Sequence, residues 1–231
     1  MNFLEALKES FITYLSKSPR SNEKLKVLHG FIASDLQKKL GNEYEVKSLG
    51  YKIGKESFID GRYMSKKVDI TIEKSNKPIA GIAVKFVMSN YSQNSNNYFE
   101  NMLGETANIR SKNIPYFQIF IIPEIIPYYK KTGDISKWEN ITENNIDKYI
   151  LMSKDNVDNF YHIPNKTLFA IINFGNFKGE APKDSLEYKN YFFKNEFNVT
   201  YSNLNLKFDN QTIYNDYEEF IEKVYHAILS L

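Results

Sequence analysis

Two alternating apolar runs on either side of a short polar turn constrain this chain most. In residues 61–72, GRYMSKKVDITI, the side chains of Val68, Ile70 and Ile72 recur at every second position, with Asp69 and Thr71 between them and Glu73 next. That period is the period of a strand, so the apolar and polar sets face opposite sides. Residues 74–78, KSNKP, form a polar turn, and residues 79–86, IAGIAVKF, return as a second strand. A five-residue loop pairs Glu73 with Ile79 and Asp69 with Ala83 in an antiparallel hairpin. Lys85 is then the diagonal neighbour of Asp69 on the same face.

An acid and a lysine on one face serve either as a cross-strand ion pair or as part of a hydrolytic site. In phosphodiester hydrolysis a hard carboxylate oxygen holds Mg²⁺ against the scissile phosphate. A nearby ammonium orients the attacking water and stabilises the developing charge.

The next segments set the architecture. Phe99, Met102, Leu103, Thr106, Ala107 and Ile109 recur at helical spacing, with Asn97 as the expected N-cap and Glu100 at the third helical position of a capping box. Residues 116–122, YFQIFII, read as a buried strand closed by Pro123. Strand, helix and strand in that order require a right-handed parallel crossover. Hairpin plus crossover predicts an α/β fold with a mixed central sheet flanked by helices.

Across about residues 54–127 these features resemble the PD-(D/E)XK nucleases, the superfamily of most type II restriction endonucleases. Its motif is an Asp near the end of one strand, then a hairpin, then an acid, any residue and a Lys. Asp69 and Lys85 match, whereas the position of the motif acid is held by Ala83. In some members the missing acid sits on the following helix, which points to Glu100 as its replacement and to Glu105 as the second candidate. The resemblance implies a restriction-endonuclease-like αβα fold and Mg²⁺-dependent cleavage of double-stranded DNA by a homodimer. It assigns metal binding to Asp69 and Glu100, with Glu56 or Glu105 as further ligands, and water activation to Lys85. It also implies an auxiliary acid, Glu23 or Asp35, on an upstream helix. Arg62, Lys66 and Lys67 flank the cleft as phosphate contacts, and the amides Asn90, Gln93 and Asn94 suit base edges. Taken at face value, Ala83 points to the alternative of a catalytically silent DNA-binding or assembly module on the same scaffold.

The flanking sequence is compatible with one nuclease-like domain spanning 1–231, with its core at about 22–130 and a C-terminal extension at 131–231 for recognition or dimerisation. Helices are expected over about 3–17, broken by Ser18, Pro19 and Ser21, and over 22–40 with Gly41 as cap. Residues 131–145 read as a charged connection or short helix, 166–175 as a strand, 188–208 as β-structure and 214–231 as a helix. With 231 residues, 42% of them hydrophobic, the chain can bury one sizeable core. A net charge of +2 is well short of a passive polyanion binder. Zero cysteines exclude disulfides and thiol catalysis, and His29, His162 and His226 are scattered, with no transition-metal cluster visible. An amphipathic N-terminus carrying Glu5 and Glu9 reads as a folded helix, and the chain as cytoplasmic.

Overall fold

The alternating run that ends at Lys74 bends at Asp69 and serves two different sheets. The computed structural model describes residues 1–17, 21–52 and 54–231, so Ser18 and Pro19 of the expected helix break lie outside the described residues. Helices α1 (Phe3–Ser16) and α2 (Glu23–Leu40) lead into strands β1 (Tyr44–Ser48), β2 (Ser57–Asp60), β3 (Ser65–Val68), β4 (Ile70–Lys74) and β5 (Lys77–Phe86). After them come α3 (Tyr91–Arg110), β6 (Tyr116–Pro123), β7 (Ile125–Tyr129), β8 (Ile135–Asn140), α4 (Glu143–Met152) and β9 (Thr167–Asn173). The chain closes with α5 (Ser185–Lys194), β10 (Thr200–Tyr201), β11 (Thr212–Tyr214) and α6 (Tyr217–Leu229).

The central sheet is mixed and seven-stranded, in the order β1-β4-β5-β6-β9-β10, with β11 also paired to β9. β1, β4 and β5 run antiparallel, while β5, β6 and β9 run parallel, as the crossover through α3 requires. Alternation along the buried strands sends Phe117, Ile119 and Ile121 towards α2 and α6. It sends Phe120 and Ile122 towards α3 and α4. The result is an α/β fold with helices on both faces. Residues beyond 131 belong to that same core, since Leu168, Ile213 and Phe220 pack in one cluster with Leu28 and Ile82.

The hairpin register matches expectation where it matters, because Ile70 pairs with Ile82 and Thr71 with Gly81. Its turn does not. Ser75 and Asn76 both adopt left-handed backbone (φ 51° and 60°), which makes a two-residue turn of the kind that matches strand twist. Lys77 and Pro78 are therefore strand residues, and a bulge beyond Ile72 moves Glu73 from Ile79 onto Pro78.

Other differences have local causes. Helix α3 begins at Tyr91, not Asn97: Asn90 takes a left-handed conformation (φ 51°, ψ 44°) and locks its amide onto Tyr129, donating to the carbonyl at 2.9 Å and accepting from the N–H at 3.1 Å. The charged segment near 131–145 pairs as β8 with β7 before α4 begins. The tyrosine-rich stretch opens as helix, because Asp184 caps α5 by accepting from the amides of Leu186 and Glu187, and Tyr188 and Phe192 fall on one buried face; beyond Lys194 only Thr200–Tyr201 forms a strand. Tyr214 ends β11, and Asp216 caps α6. No described helix is long and apolar enough to cross a membrane.

Candidate active site

Asp69 sits between β3 and β4, where the chain leaves the β2–β3 hairpin and enters the central sheet. Its carbonyl accepts the Ser48 hydroxyl at 2.8 Å, and its Oδ2 accepts the Val84 amide at 2.8 Å. The carboxylate thus reaches across to β5, between Ala83 and Lys85. Burial pushes its pKa up to about 6; the carboxylates of Glu56 and Glu105 add to the rise, while the Val84 amide and Lys66 oppose it.

On the α3 side, Asp69 opens into a cavity of about 260 Å³ lined also by Ala83 and Lys85 of β5, Gln118 of β6, and Asn101 and Glu105 of α3. Lys85 is not consumed by an ion pair among the described residues, which removes the simple cross-strand salt bridge as its use. Its ammonium lies 4.3 Å from the Tyr98 ring centre. Burial lowers the Lys85 pKa, and the nearby Asp69 and Glu105 charges only partly restore it. Glu105 ion-pairs with Lys66 and accepts from the Tyr116 hydroxyl at 3.4 Å.

Of the two helix acids, the structure brings Glu105 to the cleft and leaves Glu100 exposed on another side of α3, near Lys148. The reason is helical phase. Tyr98, Asn101, Met102 and Glu105 share the face that lines the cavity. Because α3 starts at Tyr91, Glu100 lies well inside the helix and not in its first turn.

Asp69 has a second set of neighbours on the α2 side. His29, Glu56 and Asp69 each offer a ligand atom, and these atoms all lie within 4.8 Å of one another. Helix α2 supplies His29 in place of the expected auxiliary acid: Glu23 pairs with Lys26, and Asp35 accepts from the Tyr217 hydroxyl at 3.0 Å. His29 is only 1% exposed, and neither ring nitrogen has a hydrogen-bond partner among the described residues. Burial holds its pKa down at about 4, against the pull of Glu56, so the ring is neutral at physiological pH. Upstream of Glu56 the chain touches α2 so closely that a Cβ on Gly30 would lie 2.5 Å from the Gly50 carbonyl oxygen.

His29, scattered from the other histidines in the sequence, thus lies beside two acids in a candidate ligand group. Sequence reasoning missed His29, whose only signal was a polar ring between Leu28 and Ile32 on an apolar helix face. Its partners, Glu56 and Asp69, are distant in sequence.

The remaining expected residues divide in two. Lys66 and Lys67 flank the site, and each holds one of its acids, Lys67 pairing with Glu56 at 2.7 Å. Arg62 is exposed at the tip of the β2–β3 hairpin. Asn90, Gln93 and Asn94 lie at the start of α3, where their amides are engaged internally: Asn94 donates to the Asn90 carbonyl at 3.2 Å and Gln93 accepts from Tyr128 at 3.5 Å.

No family model matches the chain, and neither a curated protein nor a solved structure shows significant similarity to it.

Proposed function

We propose that this chain is a divalent-metal-dependent endonuclease that hydrolyses phosphodiester bonds of double-stranded DNA, of type II restriction character, acting as a homodimer whose two sites address the two strands. The observation that carries this reading is the position of Asp69 between two sets of groups, His29 and Glu56 on one side and Glu105 and Lys85 on the other. The donor set fits a divalent cation. The carboxylates of Glu56 and Asp69 suit Mg²⁺, and the neutral His29 imidazole, whose nitrogens are both buried without a partner among the described residues, adds affinity for Mn²⁺ and its neighbours. A cation bound there supplies Lewis acidity and lowers the pKa of a coordinated water.

The protein groups have separable roles. The Val84 amide fixes the Asp69 carboxylate in orientation. Glu105 takes the part of the acid that Ala83 cannot supply. Lys85, with its lowered pKa and no ion pair among the described residues, is suited to orient the attacking water and to neutralise charge on the phosphate. Digestion of supercoiled plasmid with Mg²⁺ or Mn²⁺ tests the proposal, with nicked and linear products expected from the wild type and none from Asp69→Ala. Full activity in Asp69→Ala removes this site from the account.

One observation favours the silent-module reading. Besides the loss of the motif acid at Ala83, both Glu56 and Glu105 are already matched by lysines. DNA binding without nicking in either metal selects that alternative.

A further inference from the structure

The β2–β3 hairpin displays large apolar side chains beside this site. Tyr63 is 77% exposed, Met64 64% and Phe58 59%, in a chain that buries most residues of their kind. An exposed aromatic on a loose loop carries little meaning, but this tip is held. The Asn108 side chain of α3 accepts from the Tyr63 amide at 2.9 Å and donates to the Met64 carbonyl at 2.9 Å. The Asn108 carbonyl accepts the Arg62 amide at 2.8 Å. Asn108 is itself buried, and a Cβ on Gly61 would lie 2.1 Å from its Nδ2, so the turn is built around that amide.

The chemistry of the tip is that of a base-stacking surface. Arg62 lies 5.8 Å from the Tyr63 ring centre, and Lys66 and Lys67, ion-paired with Glu105 and Glu56, lie further along the same hairpin. A flat ring, a flexible thioether and a guanidinium, backed by lysines, complement the faces of bases and the charge of a phosphate backbone. Because the backbone of the tip is already ordered, little loop entropy remains to be lost on binding.

Resting on the nuclease reading above, we infer that the hairpin tip is a DNA contact in which Tyr63 and Met64 stack on or wedge between bases away from the scissile phosphate. Between Tyr63 and Asp69 only Ser65–Val68 is extended, so at ~3.3 Å per residue the two lie at most about 20 Å apart. At ~3.4 Å of rise per base pair, the stacked step therefore lies within about six base pairs of the phosphate at Asp69.

The test uses the full chain with Ca²⁺, at low salt, and duplex oligonucleotides carrying 2-aminopurine, comparing wild type with the double variant Tyr63→Ala/Met64→Ala. Wild type is expected to bind with a change in 2-aminopurine fluorescence. The double variant should lose roughly tenfold or more in affinity and lose the fluorescence change, as removal of base stacking does elsewhere. Asn108→Ala, which keeps both side chains but frees the tip, should fall between the two. Binding and fluorescence of the double variant equal to wild type would overturn the hairpin assignment while leaving the nuclease reading intact. If wild type neither binds nor nicks DNA in any metal, the nuclease reading itself fails and this inference goes with it.

Discussion

Asp69 accepts the Val84 amide hydrogen at 2.8 Å, so the acid of one strand is fastened to the backbone that carries Lys85 on the next. That bond sets the spacing of the two groups without joining them as an ion pair. It also leaves a carboxylate partly buried next to two others, an arrangement that favours function over stability.

The first prediction follows from that burial. The Asp69 pKa is about 6 in the folded chain against 3.8 for a solvated aspartate, so between those values the folded state holds a proton that the unfolded state has released. Its contribution to stability therefore falls as pH rises through that window and is most unfavourable above pH 6. Asp69→Asn should be more stable than wild type at pH 7.5, by about 3 kcal/mol at about 1.4 kcal/mol per pKa unit, and nearly equal to it near pH 4. Urea unfolding at the two pH values checks this, and a loss of stability at pH 7.5 contradicts it.

His29 gives a second prediction in which stability and metal affinity move in opposite directions. Replacing it by Leu removes two unpartnered buried nitrogens and should stabilise the chain by about 1–3 kcal/mol. The same change should weaken Mn²⁺ binding, measured by calorimetry, by roughly 100-fold, and Mg²⁺ binding by less. Because His29 stays neutral down to about pH 4, Mn²⁺ affinity in wild type should decline below about pH 6, with Asp69. Undiminished Mn²⁺ affinity in His29→Leu refutes its role as a ligand.

The two helix acids can be separated by plasmid nicking. Glu105→Gln should reduce the rate by roughly 100-fold, the scale of losing one charge-stabilising group. Glu100→Gln should stay within about twofold, since surface changes away from a site are small. The reverse order would restore Glu100 to the site.

Lys85→Gln should lower kcat by about 100-fold with little change in KM, because the ammonium is placed for the charge that develops during reaction and not for ground-state binding. An equal rise in KM with kcat unchanged would recast Lys85 as a DNA-binding residue.

Much of the fold was legible because two periodicities are strong here. The alternation of Ile70 and Ile72 located the hairpin register, and the apolar strand at Tyr116 announced the parallel crossover, whereas Val68, expected on the same face, packs with Ile59, Ile109 and Tyr116 across the bend at Asp69. What escaped was decided by polar side chains acting at a distance. The amide of Asn90 starts α3 earlier than its capping pattern suggests and so changes which glutamate faces the cleft. His29 and Asn108 looked like unremarkable polar residues on helices. Their roles come from partners on the β2–β3 region that only the folded chain brings near.

The bulge beyond Ile72 also has a practical meaning. It lets the Ser75–Asn76 end change register while the pairs Ile70 with Ile82 and Thr71 with Gly81 keep theirs. Inserted residues, a dye or an affinity peptide at that exposed end should therefore be absorbed locally, giving a handle for immobilising or labelling the protein without disturbing its chemistry.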